Sequence, residues 1–403
     1  MAPESIQLVE QHIIRANDPR FEVIDGVAFA SKNLYNQANY LVRQAFIFEG
    51  KYLNYAAIFH LVKQMDEYCA LPRKVSNLVL KQLDQNWRAF FAMIKDWREH
   101  PDKFLGQPKM PGYKHKNGRN LLVYDRQALS KPALQNGLIK PSQLDIIVKT
   151  KQQNIDQVRI VPRKNHYVVE VVYTRVPKPV EGLHPAWLAG VDIGLNNLAA
   201  ITSNKPGFTP LLVNGRPLKS MNQYYHKRRA ELQKHLPAGF HVSRNMIDLT
   251  NKRNRKVKYY LHVASRRIID HLVEAGIGTL VIGRNKGWKY RVELGRQNNQ
   301  AFVSIPFADF IQMLRYKAYL VGIQVIEQEE SYTSKCSFLD LEPIQAQKVY
   351  AGERIARGLF RAGNGRLINA DVNGSYNIIR KVSPNAFDDG VQGVAVHPSS
   401  LCL

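Results

Sequence analysis

Cysteine and long apolar runs are both scarce in this chain. Its three cysteines, Cys69, Cys336 and Cys402, lie far apart, which excludes a disulfide framework and a paired-cysteine metal knuckle. No apolar run approaches the roughly 20 residues of a membrane-spanning helix. Glutamate and glutamine interrupt the apolar residues near the N-terminus, which argues against a signal peptide. We therefore expect a soluble, cytoplasmic protein with no membrane partner.

Acidic residues are also few relative to basic ones. The 403 residues include 57 Lys and Arg against 33 Asp and Glu, a formal net charge of +24. A positive field of this size favours a polyanionic partner, and nucleic acid is the commonest one for a soluble protein. The length allows two or three domains with sizeable cores. The composition therefore indicates a multidomain protein that binds nucleic acid.

Two segments concentrate the basic residues. One is a loop at residues 109–119, and the other, residues 219–267, has thirteen Lys and Arg against two acids. With so little acid to pair, the second segment is more typical of a phosphate-tracking surface than of a solvated helix face. The candidate nucleic-acid contacts in the two segments are Lys109, Lys114, Lys116, Arg119, Lys227, Arg228, Arg229, Arg253, Arg255, Lys256 and Lys258.

The spacing of apolar residues changes along the chain. The first hundred residues are mainly helical, with one predicted helix near residues 75–97. Short β-type runs between residues 121 and 173, separated by turn residues, predict a small antiparallel barrel. Beyond residue 187, alternating strands and helices predict an α/β layer, with two long helices in residues 219–275. The last twenty or so residues are loop-like, and we expect them to be mobile.

One carboxylate interrupts an otherwise apolar strand. Asp192 lies in a run that a strand buried on both faces would keep apolar, because a buried carboxylate is strongly unfavourable. Either a neighbouring Arg or Lys or a divalent metal must compensate its charge, and hard oxygen ligands suit the metal. Asp371 lies in similar surroundings far downstream. A lone buried Asp is usually a structural hydrogen-bonder, but two of them in a basic α/β region suggest a metal-dependent phosphodiester nuclease.

Five segments, in order along the chain, carry a resemblance to a known family. They are Leu34–Asn39, Gly190–Gly194, Tyr316–Ala318 with Gly322–Ile323, Tyr332–Ser334 and Asp371–Ile378. The chain resembles the TnpB family of transposon-encoded, RNA-guided DNA nucleases, which are related to the type V CRISPR effectors. The second segment resembles the first RuvC-type nuclease motif of that family, and the last resembles its third. The resemblance covers nearly the whole chain.

The resemblance implies a multidomain α+β fold with a helical recognition lobe, a wedge-like antiparallel β-barrel and an RNase-H-like (RuvC) α/β nuclease domain. The barrel would hold the RNA scaffold and the target-flanking DNA. The expected boundaries are 1–24 and 104–182 for the barrel, 25–103 for the helical lobe, 183–335 and 367–383 for the nuclease domain, 336–366 for a nucleic-acid-binding insert and 384–403 for a flexible tail.

The resemblance also implies an activity and its partners. The expected function is an RNA-guided DNA endonuclease that hydrolyses phosphodiester bonds after it recognises a short target-adjacent motif. Mg²⁺ is the expected cofactor, with Mn²⁺ as an alternative ion. The expected partners are target double-stranded DNA and a guide RNA, derived from a transposon end or CRISPR-like. We expect a nucleoid-associated activity in a prokaryotic cytoplasm; the sequence does not give the oligomeric state, and a monomer is favoured. The alternative function is a catalytically inactive RNA-guided DNA-binding protein that represses transcription.

The catalytic glutamate departs from the family pattern. The family usually places it at the end of the strand that here ends at Gly283, so the expected triad of acids is incomplete at that position. Glu329 and Glu330 follow the next predicted strand, on the same rim of an RNase-H-like sheet. We expect one of them to complete a catalytic and metal-binding set with Asp192 and Asp371. Strand alternation does not choose between them, and Glu327 and Glu293 are the next candidates.

Zinc is the second departure. The family usually carries a four-cysteine ribbon in the insert, whereas here Cys336 is the only cysteine of residues 336–366. A tetrahedral zinc site needs four nitrogen or sulfur ligands, so we expect no zinc. Ordinary packing must then hold the insert together. The apolar residues expected to do so are Phe338, Leu339, Ile344, Ile355, Leu359 and Phe360.

Overall fold

The computed structural model describes residues 5–284, 296–388, 390, 396–401 and 403, without the side chains of residues 296–298 and 301. It confirms a mixed α/β chain. The chain divides into two compact units, residues 5–175 and the residues from 176 onward. Within the described part of the chain, no helix is both long and apolar enough to cross a membrane.

The first unit contains six strands and five α-helices among its described residues. In chain order they are β1 (Ile6–Arg15), α1 (Arg20–Glu49), α2 (Tyr55–Val62), α3 (Asp66–Cys69), α4 (Arg73–Glu99), β2 (Leu122–Asp125), α5 (Lys131–Gln135), β3 (Leu138–Ile139), β4 (Val148–Lys149), β5 (Ile155–Pro162) and β6 (His166–Arg175). The helix predicted near residues 75–97 is confirmed as α4.

Antiparallel pairing joins four strands of the first unit in the order β1-β6-β5-β2, and β3 pairs separately with β4. These described pairings form an open sheet, so they do not confirm a closed barrel. Among the short β-type runs predicted between residues 121 and 173, the segment 144–148 contributes only Val148 to a strand, β4. The unit has two cores, one between the sheet and the start of α1, and one around Trp87 among the helices.

The second unit contains nine strands and five α-helices among its described residues. They are β7 (His184–Asp192), β8 (Asn197–Ser203), β9 (Leu211–Asn214), α6 (Arg216–Lys234), α7 (Arg244–Glu274), β10 (Ile277–Gly283), α8 (Arg296–Ser304), α9 (Phe307–Val321), β11 (Gln324–Gln328), β12 (Glu353–Ala356), β13 (Leu359–Arg361), β14 (Leu367–Asn369), α10 (Ala370–Val382) and β15 (Ser399–Leu401). The two long helices predicted in residues 219–275 are confirmed as α6 and α7.

Six strands form the central sheet of the second unit, in the order β11-β10-β7-β8-β9-β15. The β7, β10 and β11 strands are parallel, so their carboxyl ends share one rim of the sheet. Every residue of β10 is buried, as its mainly apolar sequence predicts. Ala189 and Val191 of β7 pack in a core with α7 and α9. Because side chains alternate along a strand, Gly190 and Asp192 lie on the other face, against α10.

The C-terminal segment corrects one prediction. Residues 384–403 were expected to form a flexible tail, but Ser399–Leu401 pair in parallel with Leu211–Val213 of β9. Phe387 is also buried, in ring contact with Phe338 and Tyr376. The segment therefore contributes an edge strand and a core residue, which its loop-like composition did not indicate.

The insert is built around aromatic packing. Its strands β12 and β13 form a three-stranded antiparallel sheet with β14, which directly follows the insert. Phe338 stacks on Tyr376 of α10, with ring centroids 4.3 Å apart. Phe338, Leu339 and Phe360 are buried, as predicted. The prediction was wrong for Ile355, which is 42% exposed. Ile355 lies on β12, an edge strand whose four residues are all exposed.

Candidate carboxylate site

Asp192 lies at the carboxyl end of β7, close to α10. A Cβ atom added to Gly374 of α10 would come within 2.7 Å of the Asp192 Oδ2 atom, so only glycine allows the helix this close. Ser375 of the same helix donates a hydrogen bond to the Gly190 carbonyl at 2.9 Å. Helix α10, which carries the third nuclease-like motif, therefore packs at van der Waals distance against the first motif on β7.

The electrostatic surroundings of Asp192 are unfavourable to its negative charge. Protein surrounds the carboxylate deeply, although part of the residue's surface stays open to solvent. Burial raises the pKa of Asp192 well above its ordinary value, and the negative charges of Glu330 and Asp371 raise it further. Arg354 acts in the opposite direction. Three carboxylates thus interact at one rim of the sheet, and a cation there would relieve the conflict.

Asp371 lies in the first turn of α10, where a carboxylate is favoured by the helix dipole. The Asn369 side chain caps the helix by accepting from the backbone N–H groups of Asp371 and Val372. Asn197 Nδ2 donates to Asp371 Oδ2 at 2.7 Å. Arg354 of the insert approaches the other oxygen, with Nη2 3.4 Å from Oδ1. Asp371 therefore has a neutral donor on one oxygen and a cation on the other.

Glu330 reaches the space beside Gly283. The parallel pairing of Ile282 with Val191 makes Gly283 and Asp192 the next residues on neighbouring strands. A Cβ atom added at Gly283 would lie 2.6 Å from Glu330 Oε2 and 2.5 Å from Ile378 Cδ1. The Glu330 carboxylate therefore occupies the position that a side chain at residue 283 would need. It enters this position from the adjacent strand end.

The other two glutamates at this strand end are committed elsewhere. Glu329 accepts from the Ser331 side chain and backbone and from Lys381 Nζ, the last at 2.9 Å. Ser331 and Lys381 hold the pKa of Glu329 below its ordinary value. Glu327 pairs with Arg284 and Arg315 at 2.5 and 3.0 Å. Glu293 lies outside the described residues.

The carboxylates at this rim would have to move closer together to bind a metal ion. Within residues 5–284 and 296–388 and the short described stretches beyond them, no group of three or more His, Cys, Asp or Glu is close enough to hold a metal ion as it stands. The donor chemistry nevertheless fits a hard divalent cation, since Asp192, Glu330 and Asp371 offer only carboxylate oxygens. Their mutual repulsion also fits the group, because a cation would favour the ionised form of all three. The donor types thus suit Mg²⁺ or Mn²⁺, although the carboxylates must rearrange before they can share an ion.

The basic loop at residues 109–119 lies along α1. Arg119 pairs with Asp25 at 2.5 Å, and the Lys114 ammonium lies 4.9 Å above the Tyr35 ring. Lys109 and Lys116 are exposed. Arg119 and Lys114 thus serve the packing of the loop on the helix, whereas the two exposed lysines present their charges to solvent.

The helices α6 and α7 carry the second set of basic candidates. Arg253 is half-buried and donates to Asn222 Oδ1 and to the Ser304 carbonyl, so it is a structural residue. Arg228 pairs with Glu231 at 2.7 Å on the surface. The candidates whose side chains are exposed are Lys227, Arg228, Arg229, Arg255, Lys256 and Lys258. An exposed basic face therefore runs along both helices.

Two residues of the site were not predicted from the sequence. Asn197 follows Asp192 by five positions and begins β8, and a polar side chain at the start of an otherwise buried strand was a signal that could have been used. Arg354 was not among the candidate nucleic-acid contacts of the two basic segments. Its contact with Asp371 depends on how the insert packs on α10, which no local pattern encodes.

Two family models match the chain. One, described as a probable transposase of the OrfB_IS605 type, matches residues 167–289. The other, a Cas12f1-like TNB domain, matches residues 307–378. The first match contains Asp192 and Gly283, and the second contains Glu330 and Asp371.

Solved structures with a similar arrangement include a Cas12f1–sgRNA–target DNA complex, at 14% identity and a TM-score of 0.39 over 92% of this chain and 98% of that one. The mini-RNA-guided endonuclease CRISPR-Cas_phi3 gives 10% identity and a TM-score of 0.47 over 99% of this chain and 94% of that one. Both scores are below the level that establishes a shared fold.

Curated relatives give the more direct comparison. The TnpB-like protein ORF457 of Acidianus two-tailed virus is 23% identical over 397 residues, which cover 88% of this chain and 82% of the relative. The CRISPR-associated endodeoxyribonuclease Cas12f2 of Micrarchaeota archaeon (strain CG1_02_47_40) is 28% identical over 49% of this chain and 37% of the relative. Together with the two family models, these relatives show that the chain is similar to TnpB-like proteins and to Cas12f nucleases.

Proposed function

We propose that the chain is an RNA-guided, divalent-metal-dependent endonuclease that cuts double-stranded DNA in a RuvC-like site. The observation that carries this proposal is the meeting of Asp192, Glu330 and Asp371, three acids from separate elements, at one rim of the central sheet. Carboxylates are seldom gathered in this way unless a cation or a reaction requires them.

The residues of the site divide the work of phosphodiester hydrolysis. Bound divalent ions would supply Lewis-acid stabilisation of the attacking and leaving oxygens. Asp192 supplies an oxygen ligand that is held between β7 and α10. Asp371 supplies a ligand oriented by Asn197, and the partial opening beside Asp192 leaves room for a phosphate to approach.

Glu330 is the proposed third ligand. Its carboxylate lies beside Gly283, whose position in the family usually carries the catalytic glutamate. Glycine at 283 and glutamate at 330 are therefore complementary, since a side chain at 283 would collide with the Glu330 carboxylate. Glu329 does not compete for this role, because Ser331 and Lys381 hold it on the surface.

The proposed partners are a guide RNA and target double-stranded DNA. A formal net charge of +24 suits a protein that encloses nucleic acid, and the exposed basic face of α6 and α7 offers one surface for phosphates. Base pairing with the guide would supply sequence specificity, while the protein reads a short motif beside the target.

A second function has one observation in its favour. Arg354 lies 3.4 Å from Asp371, so an arginine neutralises part of the acid site. A protein that binds DNA under RNA guidance without cutting it would tolerate such an arrangement permanently. This silent binder is the alternative that the following experiment must separate from a nuclease.

The test uses the full chain purified with its co-purifying RNA, which is sequenced to define the guide. Cleavage and binding of a matching DNA target are then measured in Mg²⁺ for the wild type, Glu330→Gln and the neighbouring control Glu329→Gln. Glu330→Gln should lose cleavage and keep target binding, while Glu329→Gln should cut at nearly the wild-type rate. A wild-type protein that binds the target but cuts it in neither Mg²⁺ nor Mn²⁺ is a silent binder. Absence of any specific RNA would overturn RNA guidance itself.

A further inference from the structure

Arg354 lies at the acid site, although it belongs to none of the five segments that carry the family resemblance. It is carried by β12, the edge strand of the insert sheet, and its Nη2 atom lies 3.4 Å from Asp371 Oδ1. Its positive charge also favours the ionised form of Asp192. The guanidinium contacts one oxygen, Asp371 Oδ1, that a divalent cation would bind in the proposed site.

We propose that Arg354 is a built-in counter-ion of the acid site, which a divalent cation must displace before the site can close. This inference rests on the proposed metal-dependent function and adds a regulator to it. A cation and Arg354 compete for Asp371 Oδ1, so the arginine lowers the affinity of the site for metal. In its absence, the three carboxylates would repel one another at the rim.

The two donors on Asp371 differ in how easily they can leave. Asn197 belongs to β8 in the central sheet, where its backbone pairs with Asn214 of β9. Its 2.7 Å hydrogen bond is short, and the amide carries no charge to compete with a metal. Asn197 is therefore a fixed positioning residue that orients Asp371 in either state.

Arg354 is placed so that it can withdraw. All four residues of β12 are exposed, and the strand pairs on one side only, with a register shift between Arg354 and Ala356. The Arg354 side chain is 53% exposed. Arg354 is paired across the strands with Phe360, which is buried in the insert core, but the half-exposed Arg354 side chain is not part of that apolar cluster. The exchange of arginine for metal therefore needs a side-chain movement and no unfolding.

The test measures Mn²⁺ binding rather than cleavage. Full-length protein with its co-purified RNA is titrated with Mn²⁺, and bound ion is read from the loss of the free-ion electron paramagnetic resonance signal. The Asp192→Asn, Asp371→Asn double variant supplies the background from RNA and other surface groups. Arg354→Ala is compared with Arg357→Ala, a matched control that removes the same charge from an exposed position of the same insert.

Arg354→Ala should tighten Mn²⁺ binding roughly three- to ten-fold, as expected for loss of a partly exposed ion pair. Arg357→Ala should change it by much less, and Arg354→Lys should stay near the wild type because it keeps the charge. Asn197→Ala should weaken binding. The difference in Mn²⁺ affinity between Arg354→Ala and Arg357→Ala should decrease in high salt.

The outcomes separate this inference from the proposed function. Equal Mn²⁺ affinity in wild type, Arg354→Ala and Arg357→Ala, above the background of the double variant, would show a metal site that Arg354 does not control. If neither the wild type nor Arg354→Ala bound Mn²⁺ above background, the proposed metal site would be wrong, and so would the proposed nuclease function.

Discussion

Two buried charges lie on opposite sides of the six-stranded sheet, and their surroundings differ in kind. Lys317 on α9 is 6% exposed, and its Nζ donates to the His262 carbonyl and to Ser265 Oγ, at 2.7 Å each. Asp192, on the α10 side, faces Glu330 and Asp371, which carry charges of the same sign. A buried charge with hydrogen-bond acceptors around it serves the fold, whereas gathered like charges indicate a function that needs them.

The largest expected effect comes from removing the charge of Asp192. Asp192→Asn should reduce DNA cleavage by roughly 10³-fold or more, because metal ligands act as a unit. The same change should raise the thermal unfolding midpoint in metal-free buffer, since the amide relieves repulsion from Glu330 and Asp371. Single-turnover cleavage and calorimetry measure the two effects.

Lys317→Met is the matched control from the other side of the sheet. It removes a buried charge of the same unit, yet cleavage should stay near the wild-type rate in a folded variant. If Lys317→Met abolished cleavage as fully as Asp192→Asn does, the division into a functional and a structural charge would be wrong.

A side chain at Gly283 should disturb the acid site next. Gly283→Glu places a Cβ within 2.5 Å of Ile378 Cδ1 and 2.6 Å of Glu330 Oε2, so the Glu330 carboxylate must move. We expect a loss of roughly 1–3 kcal/mol in the free energy of unfolding, typical of overpacking, together with strongly reduced cleavage. Denaturant unfolding and the cleavage assay measure these changes.

The double variant Gly283→Glu, Glu330→Gly makes this prediction sharper. Removing the Glu330 side chain relieves one of the two close contacts of a glutamate at 283, and only the end of the Ile378 side chain must still shift, so cleavage should recover above the level of the single Gly283→Glu variant. Gly26→Ala is a control for glycine replacement, because a Cβ there meets nothing within 4 Å. If the double variant were no more active than Gly283→Glu, the idea that a glutamate at 283 can replace Glu330 would be wrong.

The sequence predicted the helices and the two aspartates because each depends on local pattern. Asp192 was recognisable as a charge inside an apolar strand, and α4, α6 and α7 follow from helical spacing. The assignment of Asp192, Glu330 and Asp371 to a metal site stays a prediction.

The choice between Glu329 and Glu330 did not follow from the sequence, for a physical reason. The β11 strand ends at Gln328, so the alternation of side chains no longer applies to the next two residues. The turn that follows includes Tyr332 with a φ of 66°, a backbone conformation that local sequence did not indicate. The contact of Arg354 with Asp371 and the pairing of β15 with β9 were likewise unpredictable, since each joins residues that are not neighbours in the sequence.

The pH dependence of stability tests the lysine side of the comparison. Burial, with Arg266 nearby, lowers the pKa of Lys317 from 10.5 to about 8, while Asp270 opposes the shift. Between about pH 8 and 10.5 the unfolded chain binds this proton and the folded chain does not. The free energy of unfolding should therefore rise with pH across this window, by at most about 3 kcal/mol.

Lys317→Met should lose this rise, because methionine has no proton to release. Urea unfolding of both proteins at about pH 8, 9 and 10 gives the difference, in which the titration of other groups largely cancels. Parallel stability curves for the two proteins would mean that Lys317 is not desolvated as its contacts imply.

Glu342 gives the smallest expected effect and an intermediate case, a buried carboxylate that the fold satisfies. It is 7% exposed, and its two oxygens accept from the backbone N–H groups of Ser337 and Ala351 at 2.7 and 2.9 Å. The carboxylate thereby joins two points of the insert, in the region where the family usually has a zinc ribbon. Glu342→Gln replaces one acceptor by a donor, so it should destabilise the insert by roughly 1–2 kcal/mol.

Hydrogen exchange locates this effect, because the amides of Ser337 and Ala351 should exchange faster in Glu342→Gln while β7 and β10 keep their protection. Glu353→Gln is the matched control, since Glu353 is exposed and pairs only with Arg361 among its described contacts. Its effect should stay within about 0.5 kcal/mol. Because a carboxylate and aromatic packing make these links, a zinc chelator should leave the exchange of both amides unchanged. Faster exchange on chelation, with stoichiometric zinc in the purified protein, would show that a metal and not Glu342 joins the insert.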